Sequence, residues 1–127
     1  MSSERLTIEF AAGRMAYKPG GTVAGHASWE VEHAKSAEVR FFWYTSGTGT
    51  PAVQIIAATK IDDPQPNGHT PFKYQLPESP YSFSGRLIRL VWAVELVIEP
   101  GKLSTRAEFV MAPGEREIVL DSLPKRP

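Results

Sequence analysis

Proline and glycine recur at short intervals along this chain: Pro19-Gly20-Gly21, Gly47 to Pro51, Pro64 to Gly68, Pro77 to Pro80, Pro100-Gly101 and Pro113-Gly114. The stretches between them have the length of strands, and none carries the sustained 3.6-residue stripe of an amphipathic helix. Several alternate instead. In residues 86–99, Ile88, Leu90, Trp92, Val94, Leu96 and Ile98 fall on one side, with Arg89, Glu95 and Glu99 on the other, the two-residue period of a sheet with one covered face. Residues 22–31 place Val23, Ala27, Trp29 and Val31 inward and Thr22, His26, Ser28 and Glu30 outward, and residues 53–61 repeat this with Val53, Ile55, Ala57 and Ile61 inward. Strands are expected near 5–11, 22–31, 37–45, 53–61, 70–76, 86–99, 103–111 and 116–121. Eight short strands without crossover helices imply an all-β, two-sheet antiparallel β-sandwich of immunoglobulin-like architecture.

A chain of 127 residues is long enough to remove roughly 65–70% of its unfolded surface from water around one core. Residues 1–121 are expected to form that domain. The proline-rich, charged residues 122–127 are expected to be a flexible tail, since proline cannot donate to a ladder. There is no cysteine, which excludes disulfides and thiolate chemistry. No apolar run reaches the ~18 residues of a membrane span. The opening MSSERLTIEF carries charges where a secretion signal would be apolar, so a cytoplasmic location is expected. Fourteen basic and fourteen acidic residues give a formal net charge of zero. That balance provides no field for nucleic acid and little repulsion between copies, which leaves homo-oligomers open.

Two passages point to a family. YKPGGTVAG, from Tyr17 to Gly25, is similar to the Tyr-x-Pro-Gly-x-x-Val-x-Gly of arrestin-like N-terminal domains. FKYQLPESPYSFSG, from Phe72 to Gly85, resembles their strand, Leu-Pro, then Pro-x-Ser-Phe-x-Gly passage, and the following long strand and EFVMAP fit the same order. RFFWYTSGTGT further resembles small single-domain bacterial arrestin-like proteins. The resemblance implies an arrestin-like sandwich whose role is to bind other proteins. It does not bring receptor regulation, because the second domain, the charged inter-domain cluster and the Pro-Pro-x-Tyr tails of eukaryotic arrestins have no counterpart here. Taken alone, Pro19-Gly20-Gly21 is a hairpin device, with Pro19 presetting its backbone angle and a glycine free to take positive φ.

Chemistry-bearing constellations are sparse. Thr45-Ser46-Gly47-Thr48-Gly49-Thr50 is a candidate binding loop whose amides could hold an anion, but it lacks the lysine and helix of a nucleotide loop. His26, His33 and His69 are the only histidines, and their spacing closes no tetrahedral site. Asp62-Asp63 lacks the alternating acids of a calcium loop and reads as a polar turn. No Gly-x-Ser-x-Gly elbow accompanies the serines. No catalytic residue, metal or cofactor is therefore assigned. The aromatic run Phe41-Phe42-Trp43-Tyr44 stands out, because in a strand Val39, Phe41 and Trp43 point one way and Arg40, Phe42 and Tyr44 the other. One set builds core, as Trp29 and Trp92 are expected to do. The Arg40, Phe42 and Tyr44 face is either covered from within or is a surface for a partner protein or a second copy, given the enrichment of aromatics and arginine at interfaces. An unpaired sheet edge would serve the same role through main-chain hydrogen bonds. The alternative is a carbohydrate-binding module that stacks a sugar on Phe42, Tyr44 or Trp43, with hydrogen bonds from residues 45–50 or 62–69.

Overall fold

The computed structural model describes residues 4–119. Ten strands form two sheets: β1 (Arg5–Phe10), β2 (Ala16–Tyr17), β3 (Thr22–Glu30), β4 (Ser36–Gly47), β5 (Val53–Asp62), β6 (Asn67–Gln75), β7 (Phe83–Ser84), β8 (Ile88–Glu99), β9 (Leu103–Met111) and β10 (Ile118–Val119). The small sheet has the order β1-β3-β6. The large sheet runs β5-β4-β8, where the far edge of β8 pairs with β9 over Trp92–Ile98 and with β7 at Arg89 and Leu90. β2 and β10 add short parallel pairings to β9 and β7. The fold is the two-sheet β-sandwich expected from the alternation, and it is consistent with the arrestin-like sandwich that the resemblance implies.

The core is aromatic and belongs to both sheets. Phe10, Phe72 and Tyr74 descend from the small sheet and Phe41, Trp92 and Phe109 rise from the large one. Phe41 stacks on Tyr74 with ring centroids 4.9 Å apart and on Phe109 at 6.0 Å, while Phe10 meets Phe109 edge-on at 5.8 Å. Polar tips within this core are satisfied: the Trp92 indole N–H donates to the Pro80 carbonyl at 2.8 Å and that of Trp29 to Gln65 at 2.7 Å. Both tryptophans are buried, as expected.

The two family-like passages are joined to each other. Gly20, at φ +76°, donates its N–H to the Pro77 carbonyl at 3.3 Å, and the Leu76 N–H donates to Gly21 at 2.7 Å. Tyr17 is buried with its hydroxyl donating to the Arg14 carbonyl at 2.7 Å, and Val23 is buried. Gly25 faces Phe10 in the β1–β3 ladder, where a Cβ would overlap the Glu9 carbonyl oxygen and meet the Phe72 ring at 2.8 Å. Tyr17, Gly20, Val23 and Gly25 of Tyr-x-Pro-Gly-x-x-Val-x-Gly thus each have a structural duty.

Several expectations need correction. β2 and β7 have only two residues each, too short to show alternation. The last strand contributes only Ile118 and Val119 among the described residues, and the expected tail, 122–127, lies outside them. Ile88, assigned to the covered side, is 43% exposed; it sits opposite Gly47 at the end of the β4–β8 ladder. The largest correction concerns β5. Ala57 and Ile61 do pack against the core, but Val53 and Ile55 are 62% and 50% exposed. The cause is a β-bulge: Phe41 pairs with Ala57 but Phe42 with Ile55, so Ile56 is an extra residue and the parity of β5 reverses there.

Truncating the centre of the aromatic core tests this account. Phe41→Ala should lose about 3–5 kcal/mol in urea unfolding, whereas His26→Ala on the exposed face of β3 should stay within about 0.5 kcal/mol.

Candidate functional site

Directly opposed residues of adjacent strands share a face, so the outer side of the large sheet can be laid out from its ladders. One row runs Arg106, Glu95, Arg40, Ala58, and the next Glu108, Ala93, Phe42, Ile55. Beyond it Val91 faces Tyr44, which faces Val53. The bulge in β5 therefore carries Val53 and Ile55 beside Phe42 and Tyr44 on the face away from the core.

Arg40, Phe42 and Tyr44, the three residues singled out from the sequence, are together on this face, but they are not equally accessible. Phe42 is only 3% exposed. Its cover comes from β9: the Arg106 guanidinium lies 5.1 Å from the Phe42 ring centroid and 4.7 Å from that of Tyr44. Ala93, fully buried in the intervening strand, is small enough for the arginine to cross. Arg106 also pairs with Glu95 at 3.5 Å, and Glu95 with Arg40 at 3.8 Å, while Arg40 meets Glu38 at 2.8 Å. A guanidinium shared between an aromatic face and a carboxylate is held by quadrupole and charge together. The Tyr44 hydroxyl donates to Glu108 at 2.7 Å. Glu108 in turn stands 4.0 Å from Arg89, which pairs with Glu117 at 3.1 Å.

Burial raises the Tyr44 pKa above the ordinary 10.0, and its hydrogen bond to Glu108 raises it further, with Arg106 opposing both. Burial likewise raises Tyr74, against the lowering effect of its hydrogen bond with Thr59. A groove of about 190 Å³ lies along the face between Arg40, Phe42, Tyr44 and Arg106 on one side and Val53 and Ile55 on the other.

The candidate loop 45–50 is arranged as a connection. Thr45, Ser46 and Gly47 belong to β4. The Thr45 amide donates to Ala52 at 2.9 Å and the Thr48 amide to Leu87 at 2.9 Å, and the Thr45 hydroxyl accepts from the Ala52 amide at 2.8 Å. Gly47 and Gly49 take positive φ, and Gly49 and Thr50 complete the turn. His26 and His69 approach with ring centroids 6.5 Å apart on the outside of the small sheet. Among the described residues no group of three or more histidine or acidic side chains could hold a metal ion, and no helix is long and apolar enough to cross a membrane.

What sequence reasoning missed is the roofing arginine and the apolar flank. Arg106 alternates with Glu108 on the outer face of β9, a signal visible in the sequence only once the β8–β9 register is known. Val53 and Ile55 were assigned to the wrong face because a bulge leaves no mark in an alternation pattern.

These features define an arrestin-like β-sandwich with a mixed aromatic and charged outer face. Among solved structures it is similar to the sporulation control protein Spo0M from Bacillus subtilis, with a TM-score of 0.58 and 14% sequence identity over 88% of this chain. The chain spans about half the length of that protein, covering 50% of it. A β-glucosidase from Listeria innocua in complex with gluconolactone also aligns, at 10% identity over 92% of this chain and 16% of the enzyme, but its TM-score of 0.45 is too low to carry an argument. No protein-family model matches the sequence, and no curated protein matches it.

The Tyr44 linkage has a definite sign. Its raised pKa means the folded chain holds that proton more tightly than the unfolded one, so this stability is present below pH 10 and is lost as pH rises through the folded value. Tyrosinate absorbance during alkaline titration should show Tyr44 ionising later than a free tyrosine. Glu108→Gln should bring it back toward 10.0, and Arg106→Gln should move it further up.

Proposed function

We propose that this domain is a non-catalytic protein-interaction module, a small arrestin-like protein that binds a partner protein through the outer face of its large sheet and the adjoining edge strand β5. The supporting observation is the state of β5. It is ten residues long, terminates the sheet, and exposes Val53, Ile55 and Ile56 by 62%, 50% and 39%. Natural proteins blunt such an edge or use it, and its apolar side chains continue directly into the groove beside Phe42 and Tyr44. Strand addition there needs main-chain hydrogen bonds and a few side-chain contacts. That economy accounts for a sequence with no chemical motif.

Carbohydrate stacking is less well served by the same residues. A sugar needs an open ring face, and Arg106 lies over both Phe42 and Tyr44.

The test uses the exposed apolar residues, because Phe42 is buried and its substitution would damage the fold. A tagged Val53→Ser/Ile55→Ser variant should melt within a few degrees of wild type. It should lose the host protein, or the second copy seen by sedimentation, that wild type retains. Equal retention by both baits would remove this face from consideration.

A further inference from the structure

The outer face of the small sheet brings together two histidines that lie far apart in the sequence. In the β3–β6 ladder His26 is opposite Pro71 and Ser28 is opposite His69, so the two imidazoles are diagonal neighbours on adjacent strands. Their ring centroids are 6.5 Å apart and the ring planes are inclined by 55°. Both side chains are exposed, and among the described residues neither imidazole has a hydrogen bond or an ion pair. The surrounding positions hold short side chains: Thr7 and Ser28 in the row of His69, and Ala24 beyond His26. Each imidazole therefore presents an uncommitted nitrogen lone pair above an antiparallel ladder.

A metal ion held by a ring nitrogen at about 2.0–2.1 Å lies roughly 3 Å from that ring's centroid, so two imidazoles sharing an ion have centroids roughly 4.5–6.5 Å apart, according to the angle at the metal. His26 and His69 stand at the wide end of this range, and small rotations of two exposed side chains bring them well within it. The charges on the face do not oppose a cation. Arg5 and Lys73 are balanced by Glu9 and Glu30, and none of the four is in an ion pair among the described residues. Glu9 directly faces His26 from β1, whereas Lys73 is one row further along, opposite Ala24.

We infer that His26 and His69 form a two-point chelate for a divalent transition metal that favours imidazole, Cu(II) ahead of Ni(II) and Zn(II). Glu9 offsets the ion's charge and accepts the second ring N–H of His26, the role a carboxylate plays behind a ligating histidine. Among the described residues no group of three histidine or acidic side chains forms a cage. The remaining coordination positions are therefore left to water or to a donor from outside, and the ion is exchangeable. The site lies on the opposite sheet from the Phe42 groove, and it stands or falls independently of the interaction reading.

Titrating the full chain with Cu(II) chloride in a weakly coordinating buffer, followed by electron paramagnetic resonance, tests the inference. One ion per chain should bind, with hyperfine structure from two imidazole nitrogens. His26→Ala and His69→Ala, both exposed changes whose folding is checked by urea unfolding, should each weaken binding by at least about tenfold and leave the signature of one nitrogen. The double variant should be little worse than either single one, because a chelate is lost with its first ligand. His33→Ala should bind as wild type does. The inference is overturned if either single variant binds like wild type, or if binding follows His33 or the N-terminal amine. It is equally overturned if the two losses simply add, as they do for independent surface imidazoles that take up copper adventitiously.

Discussion

Everything in this domain hangs on the contact between two aromatic layers. Phe41 lies between Tyr74 from the small sheet and Phe109 from its own, with ring planes within 11° and 4° of parallel. Without a disulfide to tie the sheets together, side-chain packing across the sandwich sets their separation. Phe41 can occupy the centre only if β4 directs odd-numbered residues inward. That choice sends Arg40, Phe42 and Tyr44 outward, so the composition of the outer face is a consequence of how the core is packed.

An outward Phe42 presents the domain with an apolar ring on a solvated face. The answer is local: a small residue in the neighbouring strand and an arginine beyond it. Ala93 leaves the gap, Arg106 crosses it, and Glu95 fixes the guanidinium from below. The ring is desolvated while the charge stays near water at the end of its aliphatic stem. This roof stops at β4. On β5 the bulge turns Val53 and Ile55 to the same face, where no described residue covers them, so apolar surface is covered on one side of the groove and open on the other.

The sequence made some of this legible. Alternation in β3, β4 and β8 marked the two sides of each strand because each keeps a single parity along most of its length, although Phe42, Val91 and Ala93 on the outer side are buried as well. The punctuation by Pro19, Pro77 and Pro100 marked strand ends because proline cannot continue a ladder. β2 and β7 escaped because two residues have no period, and both exist to satisfy edges of longer strands: Tyr17 against Met111, and Phe83 against Leu90. Arg40, Phe42 and Tyr44 could be placed together because they lie on one strand. Arg106, Ala93 and Ile55 could not, since their neighbourhood depends on inter-strand register, which single-strand patterns do not contain.

The bulge at Ile56 is the point where fold and use meet. A regular β5 would have turned Val53 and Ile55 toward the core and set Ile56 opposite Phe42 and Gln54 opposite Tyr44 on the outer face. One extra residue moves Val53 and Ile55 to the outer face and reverses the parity of the strand beyond it. The strand is left with apolar side chains on the outer face at Val53 and Ile55, beside the groove whose other wall is Phe42 under Arg106.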